Sequence, residues 1–397
     1  MHWRRSSFAL ICFLFIFGLF YLLYNLSERP HTPVLGGPVD TAVRNSSSTL
    51  LVSAFFHLSK SKHTIREYEW WLCQFLGPIT TDIYFYTSVE MLPLVRKCRG
   101  TLPITIDTSF ATPFDVPPLQ KLKDVYRGQL ELDRERKIHQ SEELDASWNA
   151  KPFLLDEAAK ILARQGITYD YVFWNDAGSF RISHGFTDWP SISRVRDIWR
   201  EGSALSGEKE QDLLFFPVCR VPHPSYTNWE EHMGPIDDYF SEASFFGGSP
   251  HTVSWWRETY YAYHDHYLRQ GHFVGKDQNL IFSLFLLFPS RIIAVWLDDP
   301  DAPAHKELGP VQDTAHEGFL GSCGENWFYY QFWLANLADR LAMNEIWEKA
   351  ALWSWGGWRR RRECRLTRVV WVKELLHRQF GKDWRPPMPS IAVPGNS

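Results

Sequence analysis

Val172-Phe-Trp-Asn-Asp-Ala-Gly-Ser-Phe-Arg181 decides how this chain is read. With Tyr169-Asp-Tyr171 ahead of it, the stretch reads as a buried strand that spills into a polar turn at Asn175 and Asp176. Ala177 and Gly178 then leave the backbone open to close approach, and Arg181 lies just beyond. A carboxylate at such a strand end is placed to hold a hard divalent ion, and that ion can neutralise a diphosphate. An Asp that merely shapes the next turn is the competing interpretation.

Outward from this point, short apolar runs alternate with helical patterns. Thr49–Phe56 reads as a first buried strand, Asp82–Thr87 as a second rich in β formers, and Ile104–Ile106 as a third. Leu213–Pro217, Ser244–Gly248 and Ile292–Leu297 supply further strands. Helical patterns fall at Tyr68–Phe75, Leu119–Gln140, Pro152–Gln165, Pro250–Gln270 and Asp277–Phe288. In the third of these, Leu154, Leu155, Ala158, Ala159, Ile161 and Leu162 form an apolar stripe, with Pro152 in a first-turn position. Strands alternating with helices predict an α/β fold: a mainly parallel sheet with helices on both faces and binding at the carboxyl ends of its strands.

Two more stretches offer chemistry. Phe245-Phe-Gly-Gly-Ser-Pro250 follows a strand and opens a helix, so Gly247 and Gly248 would let a sugar or phosphate approach, or would form a plain tight turn. Gly275-Lys-Asp-Gln-Asn279 precedes a very apolar helix, where Asp277 would either cap the helix or face a reacting group. Asp298, Asp299 and Asp301 around Pro300 read as a solvated loop, and His264 and His266, two apart on a helix, do not share a face.

The N-terminus predicts a membrane anchor. Ser7–Tyr24 carries no charge and makes a helix of roughly 27 Å, enough for a thin ER or Golgi bilayer. Arg4 and Arg5 precede it, which places residues 1–6 in the cytosol and the rest in the lumen. Residues 25–48, rich in Pro, Gly, Ser and Thr, read as a stem, and residues 49–397 as one lumenal domain. Lys and Arg total 42 against 46 acids, so the global basic field of a nucleic-acid binder is absent, and Arg359–Arg362 reads as a solvated face or an anionic-lipid contact. Five cysteines lie outside the anchor, an odd number that leaves at least one without an intramolecular partner in an oxidising lumen, and without a CxxC pair a structural zinc has no support. The 19 Trp serve either as sugar-stacking platforms or as core.

Ser53-Ala-Phe-Phe-His57 with Tyr68-x-x-Trp71-Leu72, Ile83-Tyr-Phe-Tyr-Thr87, Lys151-Pro-Phe153, Phe173-Trp-Asn-Asp-Ala-Gly178, Phe246-Gly-Gly248 and Asp277-Gln278 occur in an order that resembles the HtrL/YibB-like glycosyltransferases, over most of residues 49–300. The resemblance implies a GT-A-like (Rossmann-like) fold behind a type II anchor in a Golgi or ER membrane. It further implies transfer of a sugar from a nucleotide-sugar donor to a glycan, glycoprotein or glycolipid acceptor. On it, Asp176 is the ligand of a Mn²⁺ or Mg²⁺ ion and Asp277 the catalytic carboxylate. Lys151, Asn175, Gly178, Arg181, Gly247, Gly248 and Gln278 would contact the donor. One departure matters: where such enzymes commonly carry Asp-x-Asp, this chain has Asp176-Ala-Gly178. Either Asp176 works with another ligand, such as His251, His264, His266 or His272, or Arg181, Lys151 or Lys276 balances the diphosphate. A non-catalytic glycan-binding or scaffold protein on the same fold is the alternative function, and a metal-dependent hydrolase a third.

Overall fold

The structure, a computed structural model, describes residues 49–135, 141–306, 320–321, 323–352 and 363–393. The expected anchor and stem and Arg359–Arg362 lie outside the described residues. Among the described residues no helix is long and apolar enough to cross a membrane.

Eight strands form one sheet: β1 Thr49–Phe55, β2 Asp82–Thr87, β3 Thr105–Asp107, β4 Tyr171–Asn175, β5 Leu214–Val218, β6 Phe245–Gly248, β7 Ile292–Trp296 and β8 Val369–Trp371, in the order β3-β2-β1-β4-β6-β5-β7-β8. Near-continuous apolar runs arise because both faces are covered. Leu50, Val52, Val172 and Trp174 point into one core and Leu51, Tyr171 and Phe173 into the other, as the two-residue period of a strand dictates. The expected mainly parallel sheet is corrected to a mixed one. The half from β3 to β4 is parallel, whereas β6 runs against both β4 and β5, and β8 against β7. β6 is reached from β5 through an irregular connection with no crossover α-helix, so nothing obliges it to run parallel.

Between β1 and β7 the described α-helices are α1 Ile65–Leu76, α2 Leu92–Arg99, α3 Lys123–Gln129, α4 Glu142–Arg164, α5 Ile192–Ser206, α6 Pro250–Arg269 and α7 Asp277–Leu287. α4 overturns the expected start at Pro152. Ser141 caps it by accepting the Leu144 N–H, with Glu142, Glu143 and Asp145 in the first turn, so Pro152 lies inside the helix. Its burial between the sheet and α6 outweighs the one hydrogen bond that proline removes. Of the helix expected over Leu119–Gln140, residues 136–140 lie outside the described residues, and residues 119–135 form only α3, because Lys121 takes a left-handed backbone (φ 67°) that breaks the chain before it.

Cys73–Cys98 ties α1 to α2, Cys323–Cys364 ties two segments beyond β7, and Cys219 is left as a free thiol, in keeping with the odd count. The loop expected to be solvated is so only in part: Pro300 and Asp301 are exposed, whereas Asp299 is fully buried and accepts from Arg368 at 2.6 Å and Arg378 at 3.1 Å, two arginines of the C-terminal segment. Much of the aromatic surplus is core, with Trp189, Trp199, Trp256 and Trp333 wholly buried.

Candidate active site

The chain leaves β1 for β2 and β3 on one side and returns to β4 on the other, which makes the gap between β1 and β4 a switch point of the sheet. Crevices open at the carboxyl ends of strands at such points, and Asp176 stands there. Its N–H donates to the Ser244 carbonyl (2.8 Å), and its own carbonyl accepts from Ser179 N–H (3.0 Å). Asn175, expected at the donor, is fully buried and committed to the turn: its amide donates to the Asp176 carbonyl and its oxygen accepts from the Ser179 hydroxyl.

Three elements converge on Asp176. Lys151 of α4 places its Nζ 3.2 Å from Asp176 Oδ1, 3.3 Å from Asp176 Oδ2 and 3.0 Å from Asp277 Oδ2, and donates to the Ala243 carbonyl at 3.0 Å. Trp174 Nε1 donates to Asp176 Oδ1 at 2.6 Å. Asp277 opens α7, yet it is not that helix's cap: Lys276 holds the cap position without a side-chain cap bond, and the Asp277 carboxylate turns to Lys151 instead.

The scaffold behind the three is built of polar bolts. The Asn149 amide donates to the carbonyls of Val274 (3.1 Å) and Gly275 (2.8 Å), and its oxygen accepts from Tyr260. These bonds join α4 to the approach to α7 and to α6. Gly275 is required there, since a Cβ would stand 2.4 Å from Asp145 Oδ2. Gln278, the other expected sugar contact, donates to the Ser241 carbonyl (2.7 Å) and clamps α7 to the segment carrying Ala243. Ala243 itself has φ 42°, a left-handed backbone that costs on the order of 1–2 kcal/mol for a residue with a Cβ. Such strain gathers where the surroundings hold a group in a set position, here the carbonyl that seats Lys151.

Burial by itself would depress the Lys151 ammonium, but Asp176 and Asp277 more than offset it and hold the group above its ordinary range. Burial raises the Asp176 carboxyl, against the pull of Lys151 and Trp174. The Asp176 side chain is 32% exposed and those of Asp277 and Lys151 only 6%, so solvent reaches the centre past Asp176. Behind it, Asp145 is pushed up to about 8 by burial, Asp133, Asp277 and Glu142, with Lys276 opposing. Glu242, beside Ala243, is held well above the carboxylate range by burial and Glu325.

Other expected residues divide. Arg181 is exposed, with its guanidinium over Trp71 (4.7 Å) and Phe328 (5.3 Å) and its Nε donating to the Gly178 carbonyl. A Cβ on Gly178 would meet Trp71 at an ordinary 3.4 Å. His63, Tyr68 and Trp71 stack edge to face beneath Arg181, and Phe55 at the end of β1 leans on Tyr68. This ledge was not singled out as a site in the sequence, although Tyr68 and Trp71, three apart on one helix face, were its signal.

Gly247 and Gly248 are elsewhere. Gly248 pairs with Val172 and Gly247 with Phe173, in the amino-terminal half of β4, about 13 and about 10 Å from Asp176 at strand spacing. A Cβ on Gly247 would stand 2.1 Å from the Val172 carbonyl, and one on Gly248 2.7 Å from that of Leu213, so the protein's own backbone fills the space expected for a ligand. The start of α6 is likewise taken, because Ser249 accepts the Thr252 N–H. Of the histidines, His251 pairs with Asp212, His264 is buried between Tyr126 and Asp265, His266 lies against Tyr263 and Tyr267, and His272 packs on Gly234. None of these contacts reaches Asp176. Lys276 pairs with Glu135 (2.8 Å) over the Tyr239 ring.

A divalent ion was expected at Asp176, and the donor set suits one. Two hard carboxylates meet at a single cation position, and Asp277 Oδ2 is buried with an ion-pair partner but no aligned hydrogen bond. Among the described residues no group of three or more His, Cys, Asp or Glu forms a closed cage. Mg²⁺ and Mn²⁺ sites that work on phosphates commonly have one or two carboxylates, with phosphate and water completing the shell. Asp277, and none of the expected histidines, is the group placed beside Asp176 where a second ligand would stand, and Lys151 occupies the position between the two carboxylates.

Fold and site together define an α/β protein with a buried carboxylate–ammonium centre at the switch point of its sheet. No family model matches the chain, and no curated protein does. Among solved structures it is similar to core-mannan synthase A from Aspergillus fumigatus in a Mn/GDP form, at 14% identity over 66% of this chain and 75% of that one, with a TM-score of 0.38. It is also similar to mouse xyloside xylosyltransferase 1 in an apo form, at 10% identity over 63% of this chain and 85% of that one, with a TM-score of 0.32. Similarity at this level defines neither a family nor a reaction.

Proposed function

We propose that this chain is a glycosyltransferase that moves a sugar from a nucleotide-sugar donor to a glycan, glycoprotein or glycolipid acceptor, as its resemblance to the HtrL/YibB-like enzymes implies. The observation that carries the reading is the meeting of Asp176 and Asp277, remote in sequence, on one buried cation at the carboxyl end of β4. The donor's diphosphate is received beside Asp176, past the ledge of Trp71 and Arg181. Asp176 and Asp277 would hold a Mn²⁺ or Mg²⁺ ion, which when bound supplies positive charge opposite the departing diphosphate. Asp277 turns Oδ2 to the cation, which leaves its other oxygen to take the acceptor hydroxyl's proton or to stabilise the oxocarbenium-like centre. Gln278, clamped to Ser241, fixes the start of α7 and with it the direction of that carboxylate.

The proposed setting is the ER or Golgi lumen, with residues 7–24 as a type II anchor, residues 25–48 as stem and residues 49–397 as the catalytic domain. Two disulfides support an oxidising compartment. Melting the purified protein with UDP, GDP and a panel of their sugars in MnCl₂ tests the reading. A ligand at about 100 times its Kd adds roughly 2.7 kcal/mol of stability, a readily measured rise in Tm. If no nucleotide or nucleotide sugar moves the melt, the proposal fails.

A further inference from the structure

The carboxylate pair already has a cation, and that cation belongs to the protein. The Lys151 ammonium is held on three sides: it donates to Asp176 and to the Ala243 carbonyl, and it stands 3.0 Å from Asp277 Oδ2 as an ion pair. Its seat is filled without a phosphate. Two acids and one lysine carry a net charge of −1; Lys276 is cancelled by Glu135, and Asp145 and Glu242 are driven toward their neutral forms. A diphosphate entering alone would add two negative charges beside this centre. Like charges brought within contact distance at a site poorly screened by water repel strongly. A divalent ion entering alone meets the ammonium in the place it needs, and would have to displace it from a buried seat to a position with no new partner. Entering together, the ion cancels the two charges of a nucleotide sugar's diphosphate and leaves the centre at −1, and the displaced ammonium gains a phosphate oxygen in exchange for the carboxylates.

We infer that Lys151 is a built-in stand-in for the metal ion, so that the metal and the nucleoside diphosphate bind only as a pair. This deepens the donor reading above and rests on it. Between visits of the donor, the lysine keeps two buried carboxylates together without a loosely held metal. Thermodynamic linkage then requires metal and diphosphate to strengthen one another's binding by the same factor.

The test titrates the protein with Mn²⁺ alone, followed by the electron paramagnetic resonance of free Mn²⁺. UDP and GDP are then titrated in EDTA by calorimetry, and finally each with Mn²⁺. Wild type is expected to hold Mn²⁺ about 100-fold more tightly with the nucleotide than without it, near the upper end of ordinary coupling. Lys151→Gln empties the seat and is expected to bind Mn²⁺ without nucleotide; Lys151→Arg keeps a cation there and is expected to behave as wild type. If Lys151→Gln folds poorly, a rise of its Tm with MnCl₂ that wild type does not show carries the same meaning. Wild type binding Mn²⁺ equally well with and without nucleotide would overturn the inference. So would tight nucleotide binding in EDTA, or a Lys151→Gln protein no better than wild type at holding Mn²⁺. Should neither nucleotide bind under any condition, the glycosyltransferase reading falls, and the Mn²⁺ affinities of wild type and Lys151→Gln still decide the stand-in.

Discussion

The two ends of β4 carry similar signals in the sequence and opposite chemistry in the fold. At the carboxyl end, Asn175-Asp-Ala-Gly178 opens a turn in which charge accumulates and solvent enters. At the amino end, Gly247 and Gly248 of β6 lie across from Phe173 and Val172, and the space above them is filled by protein backbone. Small residues beside a strand read as close approach in both places. Only the glycine pair has it, against neighbouring backbone; a Cβ on Gly178 would meet Trp71 at an ordinary 3.4 Å, and the cation with its carboxylates gathers at Asp176 instead.

The largest expected effect separates the two ends. Gly247→Ala forces a Cβ against the Val172 carbonyl and should destabilise the fold by about 3 kcal/mol or more, measured by urea unfolding, while nucleotide binding of the folded fraction is unchanged. A variant of normal stability that has lost nucleotide binding would reverse the assignment and restore the glycine pair to the site. At the other end, Asp277→Asn should lower kcat by about 10²–10³-fold and, with one metal-holding carboxylate gone, also raise the donor KM, whereas Asp176→Asn should chiefly raise the donor KM. The same change in both constants for both variants would mean that the carboxylates act as one unit.

The smallest effect concerns the layer behind the centre. The Asp145 carboxyl sits at about 8 in the folded protein, well above its value near 3.9 in an unfolded chain. Its neutral form therefore contributes stability that is whole below about pH 4 and drains away as pH rises through about 8. Asp145→Asn should flatten this slope, removing about 1 kcal/mol or more of the difference in unfolding free energy between pH 5 and pH 8. An unchanged slope would show that another buried carboxyl, with Glu242 foremost, carries it.

Much of the sheet was legible. β1, β2, β4 and β7 fall within a residue or two of their apolar runs, because strands buried on both faces must be apolar at every position. The reversed direction of β6 was not, since four residues reading Phe-Phe-Gly-Gly look alike in either direction and their partners are far away in sequence. β8, three residues long, has too little pattern to stand out and is held by pairing with β7. The start of α4 was in principle readable from Ser141 and the acids after it, but Pro152 is the louder local signal.

By themselves, the residues of this chain determined an α/β fold and offered Asp176 and Asp277 as candidates that the family resemblance then singled out, because periodic apolar runs and a carboxylate at a strand end or a helix start are local facts. Only the tertiary structure decided that Lys151 stands between those two acids and that the glycine pair belongs to packing. The reason is physical: burial removes water from charges brought together by three separate elements, so which charge answers which depends on distances of about 3 Å that no linear spacing encodes.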